Sequence, residues 1–460
     1  MQPVSDLKTL FAAFDSQRDE LLKEYFDFLR FKSVSAEPEF KTELLACCDW
    51  VVAFLEEAGM SVEVWPTSGH PMIFASWTKA GPSKPTVMIY NHYDVQPVDP
   101  IELWKSPPFE PETRDGEVYA RGAQDNKGQC FYVISAVRWL LKTKGALPVN
   151  LKLVIEGEEE TGSAGIAAIL ESKKEQLKAD SLFIVDLGLH EKNAPALTLG
   201  VRGIVTMTVE LRGSNSDLHS GMVGGIVYNP NRAMVELLAK LYDSSGRVAI
   251  PGFYDNVAEP SAEELKALSF TFDEARFKHM FEAAPVGGER EKFTAMQRAW
   301  IRPTLEINGI GGGYTGDGFK TVIPGKTLAK LSCRLVPNQD PEKIARLVSE
   351  FLENNTPPGM SLQITLHPGT GEAVRTDFQS HPVQVTAKVM SEVFERPCEY
   401  ILSGGSIPIV ADLSRSSGAE VVLMGLGLPD DNLHAPNEHF GIDRIRAGFV
   451  TMAAVIERLA

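Results

Sequence analysis

Leu151-Lys-Leu-Val-Ile155, a helical pattern from Ala164 to Leu177, and Leu182-Phe-Ile-Val185 follow one another along the chain. Two short apolar, β-branched runs joined through a helix read as parallel strands with a crossover between them. Upstream the alternation continues with a helical pattern at Lys127 to Lys142 and strands at Thr86-Val-Met-Ile-Tyr90, Met72-Ile-Phe-Ala-Ser-Trp77 and Val62-Glu-Val-Trp65. Two amphipathic helices open the chain, one carrying Leu7, Leu10, Phe11, Phe14, Leu21, Tyr25, Phe28 and Leu29, the other running from Leu44 to Leu55. The expected fold class is α/β, with a mixed, mainly parallel sheet and helices on both faces.

Near Gly203 the texture changes. Ile204-Val-Thr-Met-Thr-Val-Glu-Leu211 alternates as a half-exposed strand does, and a helix from Asn231 to Tyr242, a strand at Leu328 to Val336, a helix at Pro341 to Leu352 and a strand at Ser361 to Leu366 follow. This pattern predicts an inserted α+β domain with an antiparallel sheet. From His381 the βα texture returns, through a strand at Val421 to Met424 and a closing helix. The expected division is 1–202 and 376–460 for the first domain and 203–375 for the insertion. Gly311-Gly312-Gly313 lacks the following Lys-Ser/Thr of a phosphate loop and reads as a flexible loop.

The chain has 460 residues, 45 Lys+Arg against 61 Asp+Glu, and a formal charge of −16, so nucleic acid and anionic membrane are excluded as expected partners. Five cysteines, Cys47, Cys48, Cys130, Cys333 and Cys398, show no metal-finger spacing and suit a reducing compartment. With no secretory pattern at the start and no apolar run of roughly 20 residues, the expectation is a cytoplasmic protein.

Acidic and histidine residues recur at the ends of the expected strands, where open α/β sheets bind ligands. His92 and Asp94 follow the strand ending at Tyr90, Asp125 lies at a strand-to-helix junction, and Glu158, Glu159 and Glu160 follow the strand ending at Ile155. Asp186 ends the strand at Leu182 to Val185, and His434 precedes the last helix. Each alone has a bland reading, as a surface pair, a helix cap, a solvated acidic loop, a capped turn or a surface histidine. Together they form a nitrogen and oxygen donor set without thiolate, which suits two zinc or manganese ions bridged by a carboxylate. In the acidic run, one Glu as ligand and its neighbour as general base would account for adjacent carboxylates.

Tyr90-Asn-His-Tyr-Asp-Val-Gln-Pro97, Tyr119-Ala-Arg-Gly-Ala-Gln-Asp-Asn-Lys-Gly128, Glu156-Gly-Glu-Glu-Glu-Thr-Gly-Ser163, Asp186 and Leu433-His-Ala-Pro-Asn-Glu438 occur in a recognisable order. In that order and spacing the chain resembles the co-catalytic metallopeptidases that include aminoacylase, carboxypeptidase G and carnosinase-like cytosolic dipeptidases, over nearly its whole length. The resemblance implies His92, Asp125, Glu159, Asp186 and His434 as ligands of two divalent ions per chain, zinc in first place and manganese as the alternative. It implies Asp125 as the bridge, Glu158 as general base toward a water between the ions, and Asp94 orienting His92.

Ser216-Asp-Leu-His-Ser-Gly221 resembles the carnosinase-like motif and implies that His219 supports the oxyanion in a partner subunit, hence a homodimer. Arg334 in Cys333-Arg-Leu-Val-Pro337 resembles the residue that receives a substrate carboxylate, and Thr321, His367 and Ser406 resemble further substrate contacts. The implied activity is hydrolysis of dipeptides with a free carboxylate; the alternative is an N-acyl amino-acid amidohydrolase using the same metal site. Two departures are Asn91, where the family commonly has Gly, and Asn126, where many members carry a second Asp.

Overall fold

The computed structural model describes residues 4–460, which divide into two compact units. Of the described residues, the first comprises 4–199, 376–401 and 409–460, the second 200–375 and 402–408. The expected boundaries lie close to these, except that Leu402–Pro408, assigned from sequence to the returning first domain, joins the inserted unit. Its backbone explains this: Ser403 N donates to Gly200 O at 2.9 Å and Gly405 O accepts from Arg202 N at 2.9 Å.

In the first unit an eight-stranded sheet runs in the order Ser61–Trp65, Met72–Trp77, Asn150–Glu156, Thr86–His92, Ser181–Val185, Glu420–Met424, Ala196–Thr198, Glu399–Ile401. The four strands from Asn150–Glu156 to Glu420–Met424 are mutually parallel, and the antiparallel pairings lie outside them. These central strands are buried almost throughout, as expected of apolar runs covered on both faces. Helices Leu7–Arg30, Lys127–Lys144, His381–Val393 and Ile442–Arg458 pack as one group, and Ala164–Leu177 packs with Ile409–Ser417 as another.

Parallel register brings the chemistry to one place. His92 pairs with Glu156 and Tyr90 with Ile184, so the carboxyl ends of three adjacent strands lie side by side, with Asp186 one residue beyond the third. A small sheet of His439–Gly441, Glu117–Tyr119 and Glu112–Arg114 joins the segment just before Asp125 to the segment just after His434.

The second unit is a four-stranded antiparallel sheet in the order Thr304–Gly312, Lys326–Leu335, Gly203–Arg212, Ser361–Leu366. Period-two alternation sorts its faces. Val205, Met207, Val209 and Leu211, with Ala329, Leu331, Cys333 and Leu335, are buried against Met234, Leu237, Ile344, Val348 and Leu352 of helices Pro230–Ala239 and Pro341–Asn355. The opposite face presents Thr206, Thr208, Ser332 and Arg334.

Gly311 and Gly312 are not loop residues as expected but the end of the strand Thr304–Gly312. A side chain at Gly312 would lie 2.4 Å from Asn231 Oδ1 and 2.6 Å from Thr327 Oγ1, so close approach, not flexibility, requires glycine there. The helices Ala262–Ala267, Glu274–Phe281 and Ala295–Trp300 add to the insertion beyond the sequence reading. All five cysteines are free thiols, and among the described residues no helix is long and apolar enough to cross a membrane.

Candidate metal centre and catalytic residues

Asp125 stands at the centre of a two-sided cluster in the first unit. Its Oδ1 lies 3.3 Å from His92 Nε2, which is also 3.6 Å from Asp186 Oδ1. Its Oδ2 lies 2.9 Å from His434 Nε2, which is 3.4 Å from Glu160 Oε2. One carboxylate thus faces donors on two sides, His92 with Asp186 toward Oδ1 and His434 with Glu160 toward Oδ2. The fully buried His92 Nε2 and Glu160 Oε1 have no hydrogen-bond partner. Buried polar atoms are rarely left unpaired without a reason, and here both belong to the same nitrogen and oxygen donor set. The residues therefore fit divalent cations.

The electrostatics agree. Burial pushes the carboxyls of Glu159, Glu160 and Asp186 up, and the neighbouring carboxylates push in the same direction. Burial opposes a charged His92, yet Asp186, Asp125 and Asp94 together raise it well above the ordinary histidine range. Burial would raise Asp125 too, but hydrogen bonding to His434 and His92 holds it below the usual carboxylate range. So many acids around two imidazoles call for positive charge at the centre.

Surrounding groups hold the donors in place. Asp94 lies 3.3 Å from His92 Nδ1, and its carboxylate accepts from the amides of Glu159 (3.2 Å) and Glu160 (3.1 Å) and from Ser35 Oγ (2.6 Å). Gln96 Nε2 donates to Glu160 Oε2 at 2.7 Å. Asn126 accounts for both departures from the family pattern. Its Oδ1 accepts from Asn91 Nδ2 (2.7 Å) and from His92 N (3.3 Å), and its Nδ2 donates to Asp186 Oδ1 (2.7 Å) and to Val185 O (2.9 Å). The amide pair orients Asp186 without adding another negative charge.

The acidic run departs from the sequence expectation by one residue. Glu158, expected as general base, has its carboxylate occupied by His70 N (3.0 Å) and Ile166 N (3.0 Å), the latter in the first turn of helix Ala164–Leu177. Two glycines make its slot: a Cβ on Gly69 would lie 1.6 Å from Glu158 Oε2 and one on Gly165 2.4 Å from Oε1. Glu158 is therefore a capping carboxylate at a helix N-terminus. Glu160, not Glu159, is the glutamate beside His434 and Asp125, and it forms a compact donor group with His92 and Asp125. Glu159, whose strongest charged neighbours are His92, Asp186 and Asp125, is left between the two.

Glu438 closes the His434 motif in sequence. It is fully buried and accepts from Arg121 Nη1 (2.8 Å), Gly122 N (2.8 Å), Gln124 N (2.9 Å) and Asp125 N (3.0 Å). This carboxylate ties the segment carrying His434 to the segment carrying Asp125. A Gln here would turn an N–H₂ toward backbone donors, so Glu438→Gln should weaken metal affinity by about 10- to 100-fold. Titration of metal-free protein against a competing chelator measures this, and an unchanged affinity would refute the clamp.

The remaining expected residues lie in the second unit. His219 and Thr321 meet on a two-stranded ribbon in which His219 pairs with Val322 and Ser220 N donates to Thr321 O at 3.1 Å. His219 Nδ1 accepts from Gly221 N at 3.0 Å, so the neutral ring carries its proton on Nε2. Arg334 Nη1 donates to Ser406 Oγ at 2.7 Å. His367 Nε2 lies 2.7 Å from Thr208 Oγ1 on the polar sheet face.

Residues 88–458 match Peptidase family M20/M25/M40, and the chain belongs to that family of metallopeptidases. It is 30% identical to the Cys-Gly metallodipeptidase dug1 of Schizosaccharomyces pombe, over 99% of this chain and 98% of the relative. It is 32% identical to the Beta-Ala-His dipeptidase of Homo sapiens, over 95% of this chain and 89% of the relative. Among solved structures it is similar to a metallo-carboxypeptidase of the same family from Sulfolobus solfataricus, with a TM-score of 0.87, 34% identity, and coverage of 96% of this chain and 99% of that one.

Proposed function

We propose that the protein is a metal-dependent dipeptidase that cleaves dipeptides bearing a free carboxylate. The observation that carries the reading is the two-sided donor set around Asp125, with His92 Nε2 and Glu160 Oε1 left open to a ligand. His92, Asp186 and Asp125 would hold one divalent ion, and His434, Glu160 and Asp125 the other. Zinc suits these nitrogen and oxygen donors, with manganese as the alternative. When bound, such ions acidify water and polarise a carbonyl. Glu159 takes the proton from the attacking water and delivers it to the leaving amine. Asp94 and Gln96 keep the acidic run in register, and Asn126 holds Asp186.

Arg334 and Ser406 receive the substrate carboxylate, with Thr321 and His367 as further substrate contacts. His219, with its proton on Nε2, supplies a hydrogen bond to the developing oxyanion of a partner subunit. Two features support a homodimer. Met222, Ile226 and Phe319, which flank the His219–Thr321 ribbon in sequence, are exposed, Phe319 at 92%. Ile307 and Ile310 are exposed on the edge strand of the same unit. Five free thiols suit a reducing, cytoplasmic setting.

Elemental analysis after gentle purification is expected to find about two divalent ions per chain. Supplied with zinc or manganese, the protein should hydrolyse members of a dipeptide panel in preference to N-acetyl amino acids. A chain that never binds more than one ion overturns the two-ion site, and preferential cleavage of N-acetyl amino acids replaces the dipeptidase reading with the deacylase one. The names of the relatives favour the dipeptidase.

A further inference from the structure

Two guanidinium groups, not one, converge on the loop that carries Ser406. Arg202 immediately precedes the strand Gly203–Arg212, whose Ile204 pairs with Arg334. With a period of two, Arg202, Ile204 and Arg334 belong to the same, polar face of the sheet. Arg202 donates through its backbone N to Gly405 O at 2.9 Å, through Nε to Gly404 O at 2.9 Å and through Nη1 to Thr304 Oγ1 at 3.4 Å. Arg334 Nη1 holds the next residue of that loop, Ser406, at 2.7 Å. Among the described residues, neither Arg202 Nη2 nor Arg334 Nη2 donates to a protein acceptor, and neither arginine makes an ion pair.

This arrangement is unfavourable for the protein alone. Burial, followed by the charge of Arg334, pulls Arg202 down to about 10. The acid that offsets it is Glu306, an exposed residue whose carboxyl desolvation pushes up. Like-charged guanidiniums with open N–H donors and no carboxylate at ion-pair distance make a fork for an anion with two oxygens.

We propose that Arg202 is a second, specificity-determining cation of the carboxylate-recognition site, which with Arg334 sets the preference for substrates ending in a free carboxylate. This rests on the carboxylate role proposed above for Arg334. The ligand chemistry is a planar monocarboxylate, the terminal group of a dipeptide.

The test compares a dipeptide with its C-terminal amide, as the ratio of kcat/KM for acid over amide, in the metal-loaded protein. Arg202→Gln should lower that ratio by about 10- to 100-fold, the range for losing a hydrogen bond to a charged group, mainly by raising KM for the acid. Arg202→Lys keeps the charge but not the fork, so it should lower the ratio by the same selective route and to a smaller degree. Arg334→Gln separates the two hypotheses. If it leaves the ratio unchanged, the carboxylate reading itself fails. If it collapses the ratio while both Arg202 variants leave it intact, Arg202 has no part in recognition. Equal losses on acid and amide in either soluble Arg202 variant also overturn the proposal, because they mark a residue that only anchors the Gly404–Ser406 loop.

Discussion

Glu159→Gln is expected to retain its metal and to lose turnover by about 10²- to 10⁴-fold, the range for removing a general base. The neighbouring substitutions should behave differently, which makes the run Glu158-Glu159-Glu160 diagnostic. Glu160→Gln should lose metal, since Glu160 lies 3.4 Å from His434 Nε2 and its Oε1 is buried without a partner. Glu158→Gln should keep metal and chemistry but lower thermal stability by about 1–3 kcal/mol, because an amide cannot satisfy both backbone donors that its carboxylate accepts. Metal content, steady-state kinetics and thermal unfolding on the three proteins separate the roles. A Glu158→Gln protein that is stable, metal-loaded and inactive would restore the base to Glu158.

The second large effect concerns His219. His219→Ala should bind metal normally and hydrolyse poorly, with a loss of about 10²- to 10³-fold expected for removing one donor to the oxyanion. If the donor crosses a two-fold interface, mixing His219→Ala with Glu159→Gln creates heterodimers with one complete set of groups. One chain then supplies intact ligands and Glu159, and the other supplies His219. Recovery of activity after verified subunit exchange supports delivery in trans, whereas two parents that stay inactive after exchange, or a fully active monomer, refute it.

The strength of this complementation depends on the two variants having independent defects, and their positions make that so. His219 sits on a ribbon paired with Val322 in the inserted unit, while Glu159 is held through its amide by Asp94 in the first unit. The exposed Phe319 and Met222 beside the ribbon supply a further check on the proposed dimer, because charge at Phe319 should weaken such an association and lower activity together.

The alternation of apolar strand runs with helical stripes from Val62 to Val185, its return after His381, and the half-buried alternation from Ile204 to Leu211 determined the layered α/β sheet and the antiparallel insertion. Periodicity reports burial one segment at a time, so these features were legible locally. His92 and Asp186 were legible for the same reason, since each lies at or just beyond a readable strand and parallel register sets those ends side by side, whereas the small antiparallel sheet joins the segments of Asp125 and His434.

The placement of the three consecutive glutamates was decided only in three dimensions. Adjacent residues share composition and charge, so nothing in their spacing separates a cap from a base or a ligand. Asp94 grips the amides of Glu159 and Glu160, while the helix N-terminus and the slot beside Gly69 and Gly165 claim Glu158. The contacts of Glu438 and Arg202 were likewise invisible in sequence, because their partners lie about 310–320 and 100–200 residues away. Hydrophobic patterning encodes which face of an element is buried; which backbone donors a buried carboxylate or guanidinium meets is set by tertiary packing.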